Sequence, residues 1–154
     1  WGFGNLYFRC PNMTVTATDY FNIGVGSIVD GMFQFANTDG NFKVATTILT
    51  DMDRFFNNTP LNSDLGHYDL RNCNTMTSFA FGVTTWTQAN YEATWAGWFR
   101  MVTGDVAPPT GWVLKSNVPF HGGNSTVSIG SLAAAARSYA INTLGWTVTD
   151  GGEI

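Results

Sequence analysis

A short apolar phrase returns along this chain at a nearly fixed step, and that return constrains the fold more than any other feature. In Met52-Asp-Arg-Phe55-Phe56 an apolar residue is followed three and four places later by an apolar pair. Val29-Asp-Gly-Met32-Phe33 precedes it, Met76-Thr-Ser-Phe79-Ala80 follows it, and Phe3-Gly-Asn-Leu6-Tyr7 opens the chain. With the second member of each pair as marker, the positions are 7, 33, 56 and 80, in steps of 26, 23 and 24. A period of that length is about one coil of a solenoid. A single coil cannot bury its own apolar face, so coils must stack on one another.

The stretches between the phrases fit short strands and turns. Met13-Thr-Val15-Thr-Ala17-Thr18 alternates apolar and polar residues, as a half-buried strand does, with Thr14, Thr16 and Thr18 outward. Phe42-Lys43-Val44 is the next strand, reached through the turn Thr38-Asp-Gly-Asn41. Thr50 or Asp51 is placed to cap a short helix carrying Phe55 and Phe56. Leu61 to Leu70 repeats the layout, with Tyr68 and Leu70 inward and Asp69 and Arg71 outward, where they should tolerate substitution.

After Gly82 the repeat stops. Thr87 is a good N-cap for a helix over 88–101, whose Tyr91, Trp95, Trp98 and Phe99 share one face. Val113 to Phe120 reads as a strand and His121-Gly-Gly-Asn124 as a turn. A second helix is expected over 128–144, with Ile129, Leu132, Ala133, Ala136 and Ala140 on its apolar face and Gly145 as its left-handed terminator. Trp146 to Thr149 is the last strand. The division is thus irregular coils over 1–83 and a cap with two helices over 84–154, the cap covering the end of the stack.

Two regions resemble the BspA-like leucine-rich repeat surface proteins, whose repeat reads roughly F-N-x-D-L-x-x-W-D-V-S-x-V-x-x-M-x-x-M-F. Leu61-Asn62 and Asp64-Leu65 stand for its opening, Tyr68-Asp69-Leu70 for W-D-V, Cys73 for the second V, and Met76, Phe79 and Ala80 for M and M-F. Ala89-Asn-Tyr91, Gly97-Trp98, Gly122-Gly-Asn124-Ser125, Ala133 to Arg137 and Gly145-Trp-Thr-Val-Thr-Asp-Gly-Gly152 resemble the segment that closes such arrays. The match is specific in the C-terminal half and loose before residue 60, where Gly26 replaces the expected Val. The resemblance implies an α/β repeat fold: a leucine-rich-repeat-like solenoid of short strands and short helices with a helical C-terminal cap.

The composition excludes several functions. The formal charge of −4 and the lack of any Lys/Arg cluster argue against a nucleic-acid partner. No apolar run reaches the roughly 18–20 residues needed to cross a bilayer, so no membrane insertion of this segment is expected. Only 12% of residues are charged, two of them lysines (Lys43 and Lys115), a balance that suits a turn-rich surface protein. The chain shows no signal peptide and no initiator Met, and Trp1 falls just before a repeat phrase, so it reads as cut from a longer one.

The sequence offers no residue pattern suited to catalysis. His67 and His121 are the only histidines, and two cysteines cannot form a zinc site alone. Cys73 takes an inward position near His67 and Asp69, where a buried, inert thiol is expected rather than a nucleophile. In the repeat register Cys10 lies at least two coils from Cys73, too far for a disulfide. Asp39-Gly-Asn41 and Asp150-Gly-Gly152 lack the spaced carboxylates of a calcium loop. Asn12-Met-Thr14, Asn57-Asn-Thr59 and Asn124-Ser-Thr126 fit the glycosylation sequon, which is frequent by chance in an Asn/Thr-rich chain. No catalytic residue, metal or cofactor is assigned.

The expected function is a non-enzymatic adhesion or receptor-recognition domain. Its setting would be extracellular, on a bacterial cell surface or a phage virion appendage, as the resemblance implies. Its partners would be a protein or glycan of a host or neighbouring cell. The alternative is a structural spacer or an assembly and decoration module of a virion or surface fibre, stacking on other copies or subunits. The candidate recognition surface is Thr14, Thr16, Thr18, Lys43, Asp69 and Arg71, together with Trp86 and Trp112, which sit in or beside loops and suit sugar stacking or protein anchoring if exposed.

Overall fold

The structure, a computed structural model, describes residues 20–21, 30–36, 43–44 and 49–154. Its elements are β1 (Tyr20–Phe21), β2 (Lys43–Val44), α1 (Gln88–Trp98), β3 (Pro119–His121), α2 (Leu132–Asn142) and β4 (Thr147–Thr149). β1 pairs in parallel with β2, and β3 with β4. The expectations for the first coil, including Cys10, Thr14, Thr16 and Thr18, lie outside the described residues.

The apolar phrases that end at Phe33, Phe56 and Ala80 form tight turns. Gln34 and Ala36 donate backbone N–H groups to Gly31 and Phe33. Phe55, Asn57 and Thr59 do the same to Met52, Arg54 and Phe56, and Phe79, Phe81 and Val83 to Met76, Ser78 and Ala80. The expected helix at Phe55 and Phe56 is absent because Arg54 and Asn58 are left-handed, at φ 52° and 54°. A residue in that region cannot continue a right-handed helix. Phe35, Asn58 and Gly82 share this conformation, at φ 58°, 54° and 76°. The same backbone turn therefore recurs at the spacing of the apolar markers.

Each turn is bonded to the next. Gly31, Phe33 and Phe35 donate to the carbonyls of Asp53, Phe55 and Asn57, and Phe56 and Asn58 donate to those of Phe79 and Phe81. The third turn passes the ladder to β3, through Met76 to Pro119 at 2.9 Å and Ala80 to His121 at 2.9 Å. β3 passes it to β4 in the register Phe120 to Val148. Side chains bridge the same steps: Arg54 forks onto Asp30 in the preceding turn, and Asp53 accepts the Ser78 N–H at 2.7 Å in the following one.

Inside the stack runs a continuous row of rings. Phe33 meets Phe55 at 5.2 Å between centroids, Phe55 lies 6.1 Å from Phe79, and Phe79 lies 5.9 Å from Phe120. Phe120 meets Trp95 and Trp98, and Trp95 and Phe99 reach Trp146. All are buried, and aromatic rings at these separations attract beyond the area they bury. The row joins the turns to the face of α1 without a gap.

Local chemistry sets the helix bounds. α1 is expected to reach Met101 but ends at Trp98, because Arg100 is left-handed at φ 54°. Thr87 occupies the N-cap position without a side-chain cap bond; its own N–H is held by Asn62. α2 starts at Leu132 rather than 128, since the Ser131 hydroxyl accepts the Ala134 N–H at 3.0 Å and Gly130 turns left-handed before it. Ile129 is consequently outside the helix and 74% exposed rather than on its apolar face. The expected strand over 113–120 shrinks to β3, because Val113 is exposed and Asn117 is left-handed.

Candidate functional site

Three loops converge at the C-terminal end of α1. The first is Asp69-Leu70-Arg71. The Asp69 carboxylate accepts the backbone N–H of Arg71 at 3.0 Å, closing a local side-chain turn. The same carboxylate accepts the Arg71 guanidinium in a fork, from Nε at 3.0 and 3.1 Å and from Nη2 at 2.6 Å. A paired, planar arginine on a held carboxylate is fixed in direction as well as charge.

The second loop supplies Trp112. Pro109 accepts the Trp112 N–H at 3.0 Å, and Gly111 between them is left-handed at φ 87°, as the third residue of such a turn demands. The indole Nε1 donates to the Trp98 carbonyl at 2.9 Å, which anchors the half-buried ring on the end of α1. The third contribution is Arg100, placed by the left-handed turn that ends the helix. A cation beyond a helix C-terminus also meets the negative end of the backbone dipole.

The two guanidinium groups share the indole. The Arg71 Cζ stands 4.3 Å from the Trp112 ring centroid, and the Arg100 Cζ 4.8 Å. Such contacts favour the cation through the ring's negative face. Burial alone would raise the Asp69 pKa, but the side-chain and backbone bonds from Arg71 and the charges of Arg71 and Arg100 outweigh it, and the carboxyl sits below its usual range. Two cations and one carboxylate leave a local positive charge on a chain whose formal charge is −4.

The sequence-derived surface residues fare differently. Asp69, Arg71 and Trp112 are brought together here. Asp69 is not outward, however: its side chain is 10% exposed against 45% for Arg71, because it turns back to serve its neighbour's N–H. Trp86 is a correction too. It is 4% exposed, donates Nε1 to the Ser63 carbonyl at 2.9 Å and packs on Tyr91, so no sugar or partner can reach its ring. Lys43 lies in β2 opposite Tyr20, with only its backbone described. Thr14, Thr16 and Thr18 are outside the described residues. Arg100 escaped the sequence reading, although an arginine just past an apolar helix face is the signal that would have marked it.

A second polar cluster lies toward the N-terminal end of α1. Asp150, its side chain 1% exposed, accepts Tyr91 Oη at 2.6 Å, Arg137 Nε and Nη2 at 2.9 and 2.8 Å, and the Gly152 N–H at 2.9 Å. Burial works to raise the Asp150 pKa, yet the bonds from Arg137 and Tyr91 and the Arg137 charge hold it below the usual range. Every oxygen is engaged inward, and burial together with the Asp150 charge pushes the Tyr91 hydroxyl well up. This is a clasp between helix and tail.

Burial pushes the Cys73 thiol up to about 12, where it donates weakly to the Thr75 carbonyl at 3.4 Å. A thiol so held is not a nucleophile at neutral pH. Among the described residues no group of three His, Cys, Asp or Glu side chains is placed to hold a metal, and no helix is long and apolar enough to cross a membrane. In comparisons with known proteins, no family model, curated protein or solved structure matches this chain.

Proposed function

We propose that this chain is a recognition domain: a leucine-rich-repeat-like solenoid, closed by a helical cap, that binds a partner on another cell's surface through non-enzymatic contacts. The setting in this reading is extracellular, on a bacterial surface or a phage appendage. The observation that carries it is the platform of Arg71, Trp112 and Arg100, where two guanidinium groups on one anchored indole stand at the surface. Arginine and tryptophan are the residues that most often dominate binding energy at interfaces. Turns bonded one on the next, with left-handed residues at Phe35, Asn58 and Gly82, support the repeat reading of the fold.

Beads coated with the protein test it, scored for attachment to bacterial and animal cells. Attachment by the native chain, reduced at least tenfold by combined Arg71→Ala and Trp112→Ala substitution, is the expected result. Concentration-dependent growth of the protein into long polymers in sedimentation, with no attachment to cells, favours the assembly module instead.

A further inference from the structure

Arg100 differs from its neighbours in what it holds. Among the described residues, Arg54 pairs with Asp30, Arg71 with Asp69, and Arg137 with Asp150. Arg100 has no carboxylate within ion-pair distance there, and it is exposed. Its guanidinium stands over the Trp112 ring, 4.8 Å from the centroid. A guanidinium held over a ring by a cation–π contact rather than by an ion pair keeps N–H donors for another ligand. Those donors match the spacing of two oxygens on a carboxylate or sulfate.

Arg71 completes the arrangement. Its Nε and Nη2 are committed to Asp69, so its position is fixed while Nη1 stays out of that fork. The ring that both cations approach is itself anchored through Nε1. The site is thus built before any ligand arrives, and little side-chain freedom is left to lose on binding. Exposed polar residues flank it: Asn72 beside Arg71, and Thr110 and Gly111 before Trp112, with Val113 exposed on the other side of the indole. A protein partner would call for a buried apolar core at the centre of the contact. Hydroxyl-rich sugars call for polar neighbours and an anion fork.

We infer that the Arg100–Trp112–Arg71 platform binds an acidic glycan, with Arg100 forking onto a carboxylate or sulfate group of the sugar and Arg71 supporting it. The inference rests on the recognition reading above and names its ligand class. Arg100 is the specificity-determining residue, since Asp69 already offsets Arg71.

Binding of the native protein to four immobilised polymers tests this: polygalacturonate, dextran sulfate, neutral dextran and poly-glutamate. Binding to one or both acidic polysaccharides is expected, with the tighter one naming the anion. Affinity should fall about tenfold or more in Arg100→Ala, recover in part in Arg100→Lys, and weaken with added salt. An unchanged near-ultraviolet dichroism spectrum shows that the variants keep their packing. Equal binding to neutral dextran, indifference to Arg100→Ala, preference for poly-glutamate, or no binding to either acidic polysaccharide overturns the inference. If coated beads still attach to cells in any of those cases, the ligand class alone has failed and the recognition reading stands.

Discussion

Gly66 and Gly97 meet backbone to backbone: a Cβ on Gly66 would stand 2.9 Å from the Cα of Gly97 and 2.8 Å from the Ala93 carbonyl oxygen. The contact seats α1 on the loop before Tyr68. Around it the Leu65 N–H is taken by the Thr94 hydroxyl at 2.8 Å, and its carbonyl by the Trp98 indole at 2.9 Å. A methyl group at either glycine would lift the helix off both bonds. Gly97→Ala, although favourable for helix propensity, should destabilise the protein by about 1–3 kcal/mol, the usual cost of overpacking. Urea denaturation of the variant checks it, and a gain in stability would show that the two backbones can part freely.

The Asp150 clasp makes stability depend on acid. Its native pKa lies below the unfolded value, so its contribution is present above the unfolded carboxylate range and lost as pH falls through the native value. Asp150→Ala leaves Arg137, 15% exposed, without its main partner, and should cost about 3–5 kcal/mol at pH 7. The difference between native protein and variant should shrink steadily below about pH 4. Melting curves between pH 2 and 7 measure this, and a pH-independent difference would remove ionisation from the account.

Tyr68 carries a buried hydroxyl with no hydrogen-bond partner among the described residues, and burial raises its pKa. An unsatisfied buried polar group costs about 1–3 kcal/mol. Tyr68→Phe keeps the ring against Phe55 and removes the orphan oxygen, so it should leave stability unchanged or raise it by about 1 kcal/mol. A marked loss in a guanidinium titration would reveal a partner for that oxygen.

At the platform, Asp69 and Arg71 should respond unequally. Arg71→Ala removes an exposed side chain but leaves the mostly buried Asp69 carboxylate without its fork, and should lower the unfolding midpoint a little. Asp69→Ala takes away the acceptor that closes the local turn, and should cost about 1 kcal/mol. Asp69→Asn, which keeps an acceptor oxygen, should recover most of that loss. The three midpoints, measured side by side, decide whether Asp69 acts through the turn or only through charge.

The residues that were legible in the sequence are those whose surroundings lie close along the chain. Tyr91, Trp95, Trp98 and Phe99 declared their face by helical spacing, and all four are buried. Ile129 misled because Ser131 and Gly130 set the helix start, and a cap outweighs an apolar residue that continues the period. Phe55 and Phe56 suggested a helix because spacing does not reveal a left-handed Arg54 or Asn58. Trp86 sat between turn-like residues with nothing local to show that Ser63, 23 positions back, would take its indole N–H. Asp69 read as outward by alternation, and turned back because a short carboxylate can reach its own neighbour's N–H. The platform itself joins positions 71, 100 and 112, and no single window of sequence contains it.

The bonds that join one turn to the next also set how the molecule would yield to a pull. They are short rows of three or four, between segments 22 to 24 residues apart, so a load that reaches one turn at a time breaks each row alone. Each turn set free would lengthen the chain by roughly 80 Å, the extended span of about 23 residues. Asp150 resists differently: its bond to Tyr91 closes a loop of 59 residues, and that loop stays out of reach of the load until the clasp opens. Turns so arranged would give way in small, separate lengths while the loop behind the Tyr91–Asp150 bond holds.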